Sequence, residues 1–335
     1  MEESDIGLEA LADRTVAVIG YGTMGRAQAL NLRDSGIAVL VGARSGSPRG
    51  DLARQDGLSV QPVASAVAAA DVVMLMLPDE AMAEVYRDVV APNLRPAAAI
   101  GFAHGFAVAF GGVDPGVRAC FLVAPKAQGD MLREAYRRGG GVPGLLAVTP
   151  ASPDATWGLC AAYARAVGCL RGGGWVTTFA AECVADQFGE QAVLCGGVIE
   201  LLQAAFDTLV DRGYDAANAY FECVHELKLI TDLLHRHGLE GFRRRISPTA
   251  AYGGLTRGPR VIDREVRRRL AVILDEIEEG RFAAEFLARE ADPVAGTRAL
   301  ASRESTTRLA GTGRRLQPRL AALEPTVSTD QGEPR

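Results

Sequence analysis

Six short aliphatic and β-branched runs punctuate the first half of this chain, and no such run follows in the second. They are "TVAVIG" (15–20), "AVLVGA" (38–43), "DVVMLMLP" (71–78), "AAAIGFA" (97–103), "ACFLVAP" (119–125) and "GLLAVTP" (144–150). Helical patterns such as "GRAQALNLRDSG" and "DEAMAEVYRDVVAPNL" lie between them. Strands that alternate with helices need crossover connections, so this half predicts βαβ units and a mainly parallel sheet. From about Thr178 the pattern changes. "AAECVADQFGEQAVLCGGVIELLQAAFDTLVDRG", "DAANAYFECVHELKLITDLLHRHG" and "REVRRRLAVILDEIEEGRFAAEFLAREA" are helical over most of their length. The expected organisation is an α/β parallel-sheet domain over 1–177, an all-α domain over 178–322, and a polar tail over 323–335 that reads as disordered.

The first strand runs into a glycine loop. "VAVIGYGTMGRAQAL" sets Gly20, Gly22 and Gly25 at Gly-x-Gly-x-x-Gly spacing between a strand and a helix. Gly20 permits the tight turn, Gly22 lets backbone approach a pyrophosphate, and Gly25 lets helix pack on strand. The free N–H groups at the helix start then face the phosphates. In this setting the motif predicts a Rossmann-type dinucleotide site, with Tyr21, Thr23 and Met24 on the same loop. An Asp or Glu at the end of the second strand would hold the ribose 2′-hydroxyl of NAD. "VLVGARSGSPRGD" instead offers Ala43 and Arg44, then Ser45, Ser47 and Arg49. Arg44, Ser47 and Arg49 suit a 2′-phosphate and predict NADP(H), with Asp51 as an opposing signal.

Composition removes several classes. Net charge is −5, with 48% hydrophobic and 23% charged residues, so nothing favours nucleic acid or an anionic membrane as partner. "MEESDIGLEALADR" is acidic and lacks an apolar run, unlike a signal or transit peptide. "VASAVAAADVVMLMLP" is broken by Asp71 and too short to span a bilayer. The six cysteines form no Cys-x-x-Cys, which fits reduced thiols in the cytoplasm.

Two acidic pairs need a reason. Asp186 and Glu190 sit four residues apart in one helical pattern, Glu222 and Glu226 four apart in another. At that spacing side chains share a helix face, and like charges repel. Phe188, Val193 and Leu194 surround the first pair, and Phe221, Val224, Leu227 and Leu229 the second. Solvated faces would be the ordinary explanation. These surroundings are too apolar for it, so the four carboxylates predict a divalent cation.

The motifs "GYGTMGRAQALNLRDSG", "LPDE", "FAHGF", "VAPK", "FGEQAVLCGGV", "AYFECVHELKLI", "GPRVID" and "GRFAAEF" occur in that order. The chain thereby resembles ketol-acid reductoisomerase over roughly residues 10–320. The resemblance implies the short class, whose knotted helical domains interlock in a homodimer with shared active sites. It implies a small keto-acid substrate, alkyl migration of a 2-hydroxy-3-keto acid, and hydride reduction of the resulting 2-keto group by NADPH. It implies two Mg²⁺ ions held by Asp186 and Glu190 with Glu222 and Glu226 of the partner subunit. Oxygen ligands suit that hard ion, and the nearby thiols do not. "LPDE" would add Leu77, Pro78 and Asp79 to the cofactor site. His104 would orient metal-bound water, Lys126 the acidic cluster, and Glu226 would carry a proton. Ser247, with Ala250 beside it, would hold the substrate carboxylate.

Some positions depart from the family pattern. Ala127, Gln128, Gly129 and Asp130 replace Gly-Pro-Gly-His after "VAPK". Ala107 replaces Asn, Ala251 replaces Glu, Met24 and Met82 replace Gln, and Pro248 follows Ser247. Most of these, taken as changes at the edge of the substrate pocket, predict a non-standard substrate and weak turnover of 2-acetolactate. Competing readings are a keto-acid reductase that has lost isomerisation, a metal-free β-hydroxyacid-type dehydrogenase, and a non-catalytic NADP(H)-binding protein. The dehydrogenase would need a Gly-rich lysine motif that the chain lacks. The binding protein would leave four carboxylates without a purpose.

Overall fold

The computed structural model describes Met1 and residues 3–288 and 293–321. The tail expected over 323–335 lies outside the described residues. The chain forms two compact units, Met1–Gln187 with Gly280–Leu287, and Phe188–Glu279 with the chain from Ala288 onward. By compactness the sheet unit reaches Gln187, past the residue 178 at which the helical pattern begins. Phe179, Glu182 and Cys183 are buried, and Phe179 packs edge-on against Phe102 at 5.9 Å.

The sheet has eight strands: β1 Thr15–Ile19, β2 Ala38–Gly42, β3 Ser59–Gln61, β4 Val72–Leu75, β5 Ala99–Phe102, β6 Cys120–Pro125, β7 Gly144–Val148 and β8 Gly174–Val176. Their order is β3-β2-β1-β4-β5-β6-β7-β8. Every neighbouring pair is parallel except β6 with β7. Each of the six runs noted in the sequence is a strand. β3 and β8 went unread because three residues at a sheet edge give no measurable period. Successive residues of β1 and β4 feed opposite faces: Val16, Val18, Val72 and Met74 enter one core, Ala17, Ile19, Val73 and Leu75 the other. Both faces are covered, which is why the central strands are continuous hydrophobic runs. Strand order reverses beside β1, so the loops after β1 and β4 flank a switch-point crevice, where open α/β sheets bind ligands.

The second unit is helical. Its larger helices are Gly197–Asp211, Glu226–Arg243, Pro248–Val261, Arg264–Glu278, Pro293–Glu304 and Arg308–Ala321. Gly238, with φ 64°, kinks the second of these. Phe206, Ala219 and Tyr220 make a small core, packed by Leu309, Leu316 and Leu320. Leu201, Phe221, Leu229, Ile230, Leu234, Leu239, Tyr252 and Leu255 remain exposed. The segment Phe179–Asp211 is long and apolar enough to cross a membrane by length and composition alone, which the sequence reading overlooked. It carries Glu182, Asp186 and Glu190, carboxylates that are expensive in hydrocarbon.

Candidate active site

The glycine loop leaves β1 and opens the helix Thr23–Asp34. Gly20 has φ 104°, and a Cβ there would meet the Met76 carbonyl oxygen at 2.4 Å. A Cβ on Gly25 would meet the Gly20 carbonyl oxygen at 2.2 Å. On Gly22, the helix N-cap, a Cβ would meet nothing within 4 Å. Two glycines are thus forced by neighbours, and the third borders open space, as a pyrophosphate cradle requires. No side chain caps this helix, so its first N–H groups are not taken by a cap.

The other predicted cofactor residues divide by position. The Tyr21 side chain is buried, and its hydroxyl donates to Asp56 at 2.8 Å. Burial and then Asp56 push the phenol far up, so this side chain braces the loop from below. Thr23 is exposed, and Met24 packs against the core. Leu77 packs on the opposite core face, and Pro78 precedes the helix Asp79–Val85. Burial raises the Asp79 carboxyl against the pull of His104. Arg44 and Arg49 are exposed. Ser47 precedes the helix Pro48–Gln55, and its hydroxyl makes no cap bond. Asp51, the opposing signal, pairs with Arg54 at 2.8 Å.

His104 follows β5 and Lys126 follows β6, both at carboxyl ends of strands. The helix Phe179–Gly189 brings Glu182 and Asp186 to them. Lys126 Nζ donates to Glu182 Oε1 at 2.7 Å and to Asp186 Oδ1 at 3.0 Å. His104 Nδ1 lies 3.2 Å from Glu182 Oε2 and 3.5 Å from Asp186 Oδ2. The Gly105 N–H donates to Glu182 Oε2 at 2.8 Å. Burial pushes the Glu182 carboxyl up, but the hydrogen bonds and charges of His104 and Lys126 outweigh it and hold the group below its ordinary range. The same contacts raise His104 and Lys126 against their own burial. Burial, aided by Glu182, Asp79 and Asp186, pushes the Cys183 thiol up to about 12.

Glu182 was missed in the sequence although a signal existed. It stands four residues before Asp186, which stands four before Glu190, so one helix face carries three acids in series. Among the described residues, His104, Glu182 and Asp186 offer ligand atoms within 4.8 Å of one another.

The remaining predicted ligands lie in the helical unit. Glu190 opens a π turn, Glu190–Leu194, and Glu222 lies in another, Phe221–His225, after which Glu226 starts an α-helix. All three are exposed. Single π turns recur at functional sites; of the three among the described residues, two fall on these acidic segments and the third is Tyr86–Val90 in the sheet unit. Ser247 caps the helix Pro248–Val261, its Oγ accepting from the Ala250 N–H at 3.1 Å. Its own proton is not used in that bond. Pro248 occupies the first helical position, where its missing N–H is harmless.

The departures from the family pattern do not all border a pocket. Ala107 and Met82 are 1% and 5% exposed and sit in the core of the sheet unit. Met24 and Ala127 pack against the core on the other face. Asp130 lies in the first turn of the helix Gly129–Arg137, where a negative charge is favoured. The expected wholesale change of pocket edge is therefore corrected: Ala107 is core packing.

A doubly wound sheet, a glycine cradle at its switch point and a lysine–histidine–carboxylate cluster at the strand ends define a nicotinamide-dependent oxidoreductase. Residues 10–173 match the family model described as acetohydroxy acid isomeroreductase, NADPH-binding domain. Residues 179–321 match that described as ketol-acid reductoisomerase, C-terminal domain. An NADH-preferring ketol-acid reductoisomerase from an uncultured archaeon is 36% identical, with a TM-score of 0.89 over 95% of this chain and 98% of that one. The chain belongs to the ketol-acid reductoisomerase family. Two more distant structures share the fold alone. An NAD-binding semialdehyde dehydrogenase protein from Cupriavidus necator is 20% identical, with TM-score 0.57 over 78% of this chain and 99% of that one. A pyrroline-5-carboxylate reductase from Coxiella burnetii is 16% identical, with TM-score 0.51 over 79% and 98%.

Proposed function

We propose that this protein carries out the full reductoisomerase reaction on a small 2-hydroxy-2-alkyl-3-keto acid with NADPH and Mg²⁺. The observation that carries the proposal is the cluster of Lys126, Glu182, Asp186 and His104 at the strand ends. Lys126 meets both Glu182 and Asp186, and the Gly105 N–H binds Glu182 as well; Asp186, the more exposed of the two acids, is the one placed to meet a hard cation. Asp186 and Glu190 would hold Mg²⁺ with Glu222 and Glu226 of the partner subunit, an all-oxygen donor set. Bound there, the ions would supply Lewis-acid polarisation of the substrate oxygens.

The chain's own groups supply the rest. An ionised Glu182 fixes the His104 proton on Nδ1, so Nε2 is left to exchange protons with solvent or substrate. Lys126 keeps the acidic face from repelling an anionic substrate. Ser247 of the partner subunit donates to the substrate carboxylate, and Glu226 of the partner subunit moves a proton. The cradle of Gly20, Gly22 and Gly25 takes the pyrophosphate, and Arg44, Ser47 and Arg49 take the 2′-phosphate. The exposed apolar side chains of the helical unit favour a homodimer, since a monomer rarely exposes so many. The net charge of −5 suits a cytoplasmic enzyme without membrane or nucleic-acid partners.

Burial of Ala107 removes one support for a non-standard substrate, while Gln128, Asp130, Pro248 and Ala251 remain outside the core, so 2-acetolactate is the substrate to test first. With Mg²⁺ and NADPH saturating, kcat/KM above about 10⁴ M⁻¹s⁻¹ is expected, with the reduced, rearranged acid as product. Reduction of the matching 3-hydroxy-2-keto acid without turnover of 2-acetolactate would instead identify a reductase that has lost isomerisation.

A further inference from the structure

A second cleft, of 340 Å³, runs along the helix that follows the glycine loop. Four arginines line it, Arg26, Arg33, Arg133 and Arg137, with Asp56 and Asp130. None of His104, Lys126, Glu182 or Asp186 lines it, and of the glycine-loop residues Thr23 alone does. We propose that this cleft binds a small phosphate-bearing anion, beside the dinucleotide's glycine cradle and not in it.

Three of the guanidinium groups are already held in place. Arg26 is gripped by both oxygens of Asp56, at 2.7 and 2.9 Å. Arg33 donates to Asp34 at 2.8 Å and to the Asp56 carbonyl oxygen at 2.6 Å. Arg133 donates to Asn31 at 2.8 Å and to Asp34 at 2.5 Å. Each guanidinium has five N–H donors and spends only some of them on these contacts. The Arg137 guanidinium has no partner among the described residues.

The charges facing the cleft are the four arginines against Asp34, Asp56 and Asp130, a local excess of positive charge in a chain of net −5. Rigid, planar forks recognise phosphate oxygens in pairs, and fixing them beforehand removes the ordering penalty of binding. Ala27 and Leu30 give the cleft an apolar wall beside the arginines, so the ligand is compact and charged on the side the arginines face. Asp130 opposes the anion.

The glycine loop also attracts phosphates, so the test uses the full protein saturated with whichever nicotinamide dinucleotide it prefers, without added Mg²⁺, which would itself chelate pyrophosphate. Inorganic pyrophosphate is titrated by calorimetry at constant ionic strength. Saturable binding at one site per chain is expected. Arg137→Gln should weaken it about tenfold or more, and Asp130→Asn should tighten it. Neither residue belongs to the catalytic set, so turnover at zero pyrophosphate serves as a folding control. The proposal is overturned by equal affinity in Arg137→Gln, by the absence of saturation below ~10 mM, or by pyrophosphate competing with the dinucleotide.

Discussion

The Nζ of Lys126 lies 2.7 Å from Oε1 of Glu182, whose side chain is 1% exposed. A carboxylate so deeply placed stays ionised only because its charge is met on several sides. Removing one partner of a buried pair leaves an uncompensated charge, which typically costs about 3–5 kcal/mol. Lys126→Met should therefore lower stability by about 3 kcal/mol, less whatever His104 and Gly105 retain. Glu182→Gln in the same chain should return part of that loss. A denaturant double-mutant cycle measures the coupling, and additive effects would show that the pair is not energetically linked.

Asp56 offers a pH test away from the active site. Its hydrogen bond from Arg26 lowers its carboxyl against burial, and the Tyr21 hydroxyl lowers it further. A folded pKa below the unfolded value of about 3.9 gives stability that is present above that value and lost as pH falls through the folded one. Asp56→Asn should be clearly less stable than the parent at pH 7, and the gap should close in acid. Acid-unfolding curves at matched ionic strength decide this. A gap that stays constant below pH ~4 would mean that the carboxylate's charge is irrelevant.

Strands and glycine loop were legible because their signals are local: a buried run, a turn that only glycine fits, a helix after it. Glu182 was harder, since its role depends on a lysine 56 positions away in sequence. Ala107 misled for the same reason. A small residue beside "FAHGF" suggests an enlarged pocket, but the side chain faces the sheet core. The π turns on the two acidic segments left no mark in the sequence. They change the hydrogen-bonding register within segments whose composition is ordinary for an α-helix.

The cofactor prediction rests on side chains rather than on the fold. Asp51 is engaged by Arg54, and Arg44 and Arg49 are exposed on the loop and helix that follow the second strand. A charge-assisted phosphate contact is worth about 1.5–3 kcal/mol, or roughly one to two decades in affinity. NADPH should outperform NADH in kcat/KM, and Arg44→Glu should shrink or invert that ratio. Equal use of both cofactors by the parent protein, or a preference for NADH like that of its relative, would refute the assignment.

The last prediction concerns how the acidic segments are combined. Asp186 belongs to the lysine-bearing cluster of the sheet unit, while Glu222 and Glu226 sit on an exposed π turn and the helix after it. If each site draws Asp186 from one subunit and Glu226 from the other, Asp186→Asn and Glu226→Gln should each abolish Mg²⁺-dependent turnover. A mixed dimer of the two variants has one site with both lesions and one with neither. Random exchange makes half of the dimers mixed, so about a quarter of parental activity should return, since each mixed dimer has one intact site of two. Asp186→Asn should still bind the dinucleotide, because the glycine cradle makes no use of that carboxylate, and fluorescence titration checks this. No recovery after verified subunit exchange would place all four carboxylates in one chain's site.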